Sequence, residues 1–97
     1  MTLSLLAPGA KWDRIMRLDV TTAKGRCFFA LLSGGWIPGE RLAEVAGFDY
    51  RTRCSRLRDL GVPIESRPSQ TAPCYLFRIG QNFLIEYEWK RRERRSA

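Results

Sequence analysis

The residues with the greatest chemical capacity in this chain are its arginines. Arg51, Arg53, Arg56 and Arg58 crowd into the stretch "YRTRCSRLRDL", which also carries Thr52 and Ser55. A guanidinium is a permanent cation with a planar fork of donors, suited to phosphate oxygens and guanine edges, and short hydroxyls beside it reach base or backbone acceptors. Near the end of the chain, Lys90, Arg91, Arg92, Arg94 and Arg95 surround Glu93. Chemistry of this kind is electrostatic recognition rather than bond making.

Other site chemistries lack their residues. The chain has no histidine, neither a phosphate loop nor a nucleophile elbow occurs, and the carboxylates are scattered among basic residues, so no catalytic residue is assigned and the protein reads as a non-enzyme. Cys27, Cys54 and Cys74 form no CxxC pair. Without histidine they offer no metal site, and each reads as a small buried hydrophobe; no cofactor is expected. An odd cysteine count argues against a secreted disulfide framework. The longest apolar run, "CFFALL" at 27–32, is too short to span a bilayer, and "MTLSLLAPGAKW" at the start lacks the basic region of a signal peptide. A reducing cytoplasm is the expected compartment, with no membrane partner.

The charge is localised. The sequence of 97 residues carries a formal net charge of +7, from 14 Arg and 3 Lys against 10 acidic residues. Residues 51–67 hold five Arg against Asp59 and Glu65, and residues 90–95 hold five cations against Glu93, giving +3 and +4; the remaining seven cations and seven anions cancel. Such an excess points to a polyanionic partner.

The elements that must position these residues fit one small domain. "TTAKGRCFFALLSGG" supplies a threonine cap and a Gly-Gly stop, predicting a helix from about Thr22 to Ser33. "WIPG" gives a brief extended piece, after which Pro38 and Gly39 open a second helix ending near Ala46. Gly47 suits a left-handed helix exit, Phe48 is expected to return to the core, and Asp49 is expected to cap a third helix over Tyr50–Leu60, stopped by Gly61. "VPIESR" at 62–67 and "CYLFRI" at 74–79 read as a hairpin with the polar tip "PSQTAP" between them. Phe83, Leu84 and Tyr87 lie at helical spacing and predict a final helix that ends in pure charge. Residues 1–20 read as an N-terminal arm with a short helical turn at most, residues 21–79 as the domain proper, and 80–97 as a C-terminal helix and basic tail.

The order helix, short strand, helix, tight turn, helix, hairpin resembles the winged helix-turn-helix domains of small bacterial and phage DNA-binding proteins. Leu42, Ala43, Ala46, Gly47 and Phe48 match the small and apolar positions of the first helix and turn, and Leu57, Leu60 and Gly61 match the end of the recognition helix. The family's apolar position six places after the turn glycine falls on Arg53, whereas Cys54 fits the apolar face, which implies a turn longer by one residue. The resemblance covers residues 21–79 and implies an α+β fold, a three-helix core with a two-stranded wing, and duplex DNA as partner, with the third helix in the major groove. It further implies a small transcriptional regulator, associated with the nucleoid when bound.

On a 100° wheel the third helix turns Tyr50, Cys54, Leu57 and Leu60 to the core. Thr52, Ser55 and Asp59 lie opposite, between a row of Arg51 and Arg58 and a row of Arg53 and Arg56. Arg51 and Ser55, in the helix's first half, are expected to read bases, while Arg58 is expected to hold backbone. Arg67 at the hairpin base, with Ser69, Gln70 and Thr71 at its tip, offers phosphate or minor-groove contacts; Lys90, Arg91 and Arg92 are expected to run along the duplex backbone. Lys24 and Arg26 would suit a phosphate near the first helix.

Trp36, Phe48, Tyr75 and Phe77 are spaced as core residues, so no base-stacking platform is expected. Trp12 and Trp89 fall outside the clear core pattern, with packing or a homodimer contact as their two roles. The rival reading is a protein-interaction module that presents the same basic fold to an acidic protein surface, as an accessory or inhibitory factor would. A basic helix that is merely solvated, or one that binds RNA, would carry the same residue types.

Overall fold

The computed structural model describes residues 9–71 and 74–96, and of residues 94–96 only the backbone. In chain order the elements are α1 (Trp12–Ile15), α2 (Ala23–Leu31), β1 (Ile37–Pro38), α3 (Gly39–Ala46), α4 (Tyr50–Asp59), β2 (Ile64–Pro68), β3 (Tyr75–Ile79) and α5 (Gln81–Ser96). The result is an α+β fold of five helices and one antiparallel sheet of three strands, ordered β1-β3-β2 among the described residues.

Local chemistry sets these bounds. Thr22 caps α2 by accepting a hydrogen bond from the Gly25 N–H at 3.0 Å, which satisfies one of the helix's orphan donors. Gly47, with φ +90°, ends α3 in a conformation that an L side chain rarely adopts. The expected Asp49 cap does not form. No side-chain cap bond is made there, and the Asp49 carboxylate instead lies 3.4 Å from Arg53 Nη2, one turn along the same helix.

Three packed helices and the sheet share one core. Cys27, Phe28 and Leu31 of α2 meet Leu42 and Ala46 of α3, Cys54 and Leu57 of α4, and Phe77 and Ile79 of β3, all buried. Tyr50 lies edge-on to Phe77 with centroids 5.8 Å apart, and its ring also covers Gly39, where a β-carbon would collide with it. On the far side of α2, Phe28 makes edge contacts with Phe83 and Tyr87 of α5. The two flanks of α2 therefore hold different helices: Cys27 touches Cys54 of α4, while Phe28 touches α5.

Of the two roles open to Trp12, these contacts give packing. Trp12, set outside the clear core pattern by its sequence, stacks on Phe83 at 4.9 Å, and Ile15 is fully buried, so the segment read as an arm lends side chains to the core. Its backbone is tied in as well. The Lys11 N–H donates to the Leu60 carbonyl at 2.8 Å, and Gly61, at φ +95°, lies so close to Ala10 that a β-carbon has no room. Conversely, Phe48 does not return to the core: it is 98% exposed. Of the other aromatic residues expected inside, Phe77 is buried, Trp36 is half-buried and Tyr75 is exposed.

Candidate nucleic-acid interface

The wheel drawn for the third helix holds in three dimensions. Cys54, Leu57 and Leu60 are buried and Tyr50 is half-buried, while Arg51, Thr52, Ser55, Arg56, Arg58 and Asp59 are exposed. Arg53 is the exception among the arginines, half-buried, with its Nε shielded from solvent and without a hydrogen-bond partner.

A groove of about 280 Å³ runs between α4 and the inner face of the β2–β3 hairpin, lined by Arg51, Cys54, Arg58, Ser66, Tyr75 and Phe77. The strand register explains why the hairpin sends Ser66, Tyr75 and Phe77 there. Ser66 pairs with Phe77 and Pro68 with Tyr75, and side chains two apart share a face. Both groove arginines are held by uncharged partners. The Arg51 guanidinium sits 6.0 Å from the ring centres of Tyr50 and Tyr75, a cation–π arrangement that leaves its charge intact. Arg58 Nε donates to the Ile64 carbonyl at 3.1 Å, tying α4 to β2. Arg51, expected to read bases, and Arg58, expected to hold backbone, line the same groove. Thr52, Ser55 and Arg56 are exposed on α4 outside its lining.

Beneath the groove lies a buried thiol pair, Cys27 Sγ and Cys54 Sγ at 3.8 Å. The hydrogen bond from Cys27 holds the Cys54 thiol below its ordinary pKa, with the Arg58 charge acting in the same direction and burial opposing both. Cys27 is pushed up correspondingly, by sharing its proton with Cys54 and by burial.

The remaining expected contacts lie elsewhere. Arg67 is on the outer face of the sheet, opposite the groove: alternation places it with Glu65, Leu76 and Arg78. There Arg67 and Arg78 sit over the Trp36 ring at 4.2 and 4.5 Å, and Arg78 also pairs with Glu65 at 2.7 Å. At the hairpin tip the Ser69 hydroxyl accepts from the Thr71 N–H at 3.2 Å, so it supports the turn, while Gln70 is exposed. Residues 72 and 73 of the tip lie outside the described residues.

Lys90, Arg91 and Arg92 are on α5, and the structure does not bring them to α4. Lys90 Nζ lies 5.5 Å from the Trp12 ring, and Arg91 and Arg92 both engage Glu88, at 2.8 and 3.3 Å. Those contacts hold the Glu88 carboxyl below the usual range, with the Arg91 hydrogen bond the chief cause, and raise Arg91 in return. Arg26, considered for a phosphate, instead clamps two backbone carbonyls, Val45 at 2.8 Å and Val20 at 3.0 Å. Carbonyl partners of this kind, which hold both Arg26 and Arg58, leave no mark in a local sequence pattern.

Glu86 has no signal in the sequence either. Its side chain is buried on the α5 face that carries Phe83 and Tyr87, and neither carboxylate oxygen has a hydrogen-bond partner. No described helix is long and apolar enough to cross a membrane. Comparison with known proteins finds no matching family model, no curated relative and no similar solved structure.

Proposed function

We propose that this chain is a winged helix-turn-helix protein that binds duplex DNA, with α3 and α4 as the helix-turn-helix and the β2–β3 hairpin as the wing. The observation that carries this reading is the groove between α4 and the hairpin, where Arg51 and Arg58 are fixed by aromatic rings and a backbone carbonyl without being neutralised. A fixed, unneutralised guanidinium beside a groove favours a phosphate, and the exposed hydroxyls of Thr52 and Ser55 on the same helix are short enough to read base edges in a major groove. Arg51 and Arg58 act here as phosphate ligands that set the register. Thr52, Ser55 and Arg56 read the bases. A small bacterial or phage transcriptional regulator in the cytoplasm is the role that fits such a site, carrying no catalysis and needing no cofactor.

Selection of bound duplexes from a random pool, followed by titration at several salt concentrations, tests the proposal. Contacts to roughly four to six phosphates would lower affinity roughly 10²–10³-fold between about 50 and 200 mM salt, through release of condensed counterions. A flat response, or no enrichment from the pool, would overturn it in favour of an acidic protein partner. Preference for structured or single-stranded RNA in direct competition would overturn it in favour of RNA.

A further inference from the structure

We propose that Phe48 reads sequence by packing its ring against a thymine methyl group; the inference rests on the duplex-binding reading above and adds a specificity residue to it. At 98% exposure, Phe48 is the most exposed of the large apolar side chains among the described residues. Its neighbours in kind are not comparable. Tyr75 is half as exposed and lines the groove near Arg51, Phe29 lies against Phe28, Val20 precedes α2, and Ile85 and Trp89 occupy α5, the other flank of α2.

The position of Phe48 gives the exposure its meaning. The residue stands at the middle of the three-residue turn between α3 and α4, after Gly47 at φ +90° and one residue ahead of Asp49, which precedes the start of α4. When a recognition helix docks, its N-terminal residues contact base edges. A side chain placed just ahead of that end, with Arg51 and Thr52 exposed in the next turn, is delivered to the same stretch of groove. The major groove presents donors and acceptors at every base pair but a single apolar feature, the C5-methyl of thymine, and phenylalanine is one of the side chains that meets it.

The surrounding charge selects this occupant over a second copy of the chain. Asp49, the acid beside Phe48, pairs with Arg53 at 3.4 Å, and Arg51, Arg56 and Arg58 are exposed along the helix that follows, so the surface that carries the turn is net cationic. Two such surfaces repel each other, whereas a polyanion is drawn in and brings the methyl group with it.

The test uses the full chain and the duplex selected above, with each thymine in turn replaced by uracil, which removes the methyl group and nothing else. Wild type should lose about four-fold in affinity at one position, the worth of one buried methyl group. Phe48→Ala should bind the thymine duplex more weakly than wild type and no longer distinguish uracil from thymine there, while Phe48→Leu keeps the preference. Because the ring is in solvent, the thermal midpoint of Phe48→Ala should stay at the wild-type value.

Wild-type indifference to every uracil, or discrimination that survives in Phe48→Ala, would overturn the proposal while leaving duplex binding intact. A fall in the thermal midpoint would return the ring to the core and overturn it too, and loss of self-association in sedimentation would assign the ring to a second copy. Failure of wild type to bind any duplex removes the underlying reading and this inference together.

Discussion

Helices α4 and α5 both carry clustered cations, and the pair Arg51 and Arg58 on α4 is held differently from the pair Arg91 and Arg92 on α5. On α4, Arg51 lies 6.0 Å from the centres of two tyrosine rings and Arg58 donates to a backbone carbonyl, partners that orient a guanidinium without cancelling its charge. On α5, Arg91 and Arg92 share the Glu88 carboxylate, which immobilises them and neutralises part of their field. Two stretches that look equally cationic in sequence thus present different surfaces. Fixed, uncancelled charge loses little entropy on meeting a phosphate, whereas α5 must first release its arginines from Glu88. Under the duplex-binding proposal, the comparison ranks α4 ahead of α5 as a phosphate-binding element.

The hardest test of that ranking is structural. Leu57 is fully buried and holds the back of α4 to the core, so Leu57→Ala should lower unfolding free energy by about 2–5 kcal/mol in denaturant titration. A change within about 0.5 kcal/mol, the range of surface substitutions, would mean that α4 is not anchored through this face. Next comes the buried face of α5, which differs from that of α4 in carrying the unpartnered Glu86. Replacing it by leucine removes an unsatisfied group, and Glu86→Leu should stabilise by about 1–3 kcal/mol; a loss of stability would show that the carboxylate has a partner in solution.

On the binding side, Arg51→Ala should cost about 1–3 kcal/mol on every duplex, as loss of a charge-assisted phosphate contact would. Arg91→Ala removes the same unit of charge and should cost measurably less, because that charge is already engaged by Glu88. Equal losses at fixed salt would collapse the distinction between the helices. The smallest effect is the mirror experiment: Glu88→Gln frees Arg91 and Arg92 from their shared carboxylate and should steepen the salt dependence of log affinity by up to about 0.9 for each phosphate gained.

Acid should do gently what that substitution does. The folded pKa of Glu88 is depressed from 4.5, so its contribution to helix stability is present above its unfolded pKa and is lost as pH falls through the lower, folded value. Circular dichroism should therefore show slight fraying of α5 only below about pH 4.5, with no change from about pH 6 to 8.

Much of the scaffold is legible in the sequence because its signals are local. A threonine cap, a glycine at each helix exit and two alternating apolar runs place α2, α3, α4 and the hairpin within a residue or two. The wheel on α4 succeeds because a helix has one period and one buried side. What fails is whatever depends on distant partners. Residue type alone points Phe48 inward, yet the exit set by Gly47 aims it at solvent. Tyr75 shares the inward face of β3 with Phe77 and Ile79 but sits at the tip end of the strand, past the helices that would cover it. Four residues of helix in α1 are too few to leave a periodic trace.

For the site, residue types mark α4 correctly as the exposed basic helix, but not which arginines are restrained or by what. Arg67 illustrates the gap: one place along the strand decides which face it takes, and that parity puts it over Trp36 instead of in the groove.

The bond from the Lys11 N–H to the Leu60 carbonyl has a kinetic consequence. It closes a span of about fifty residues, a long-range contact whose loop entropy is lost before any reward is collected, so it belongs to a late stage of folding. The last turn of α4 keeps its own bonds, from the Leu60 N–H to Arg56 and from the Gly61 N–H to Arg58, so docking of the early segment adds the Leu60 carbonyl to a turn already closed. Loss of the Lys11 N–H, as in Lys11→Pro, would therefore be felt at the C-terminal end of α4, about fifty positions away.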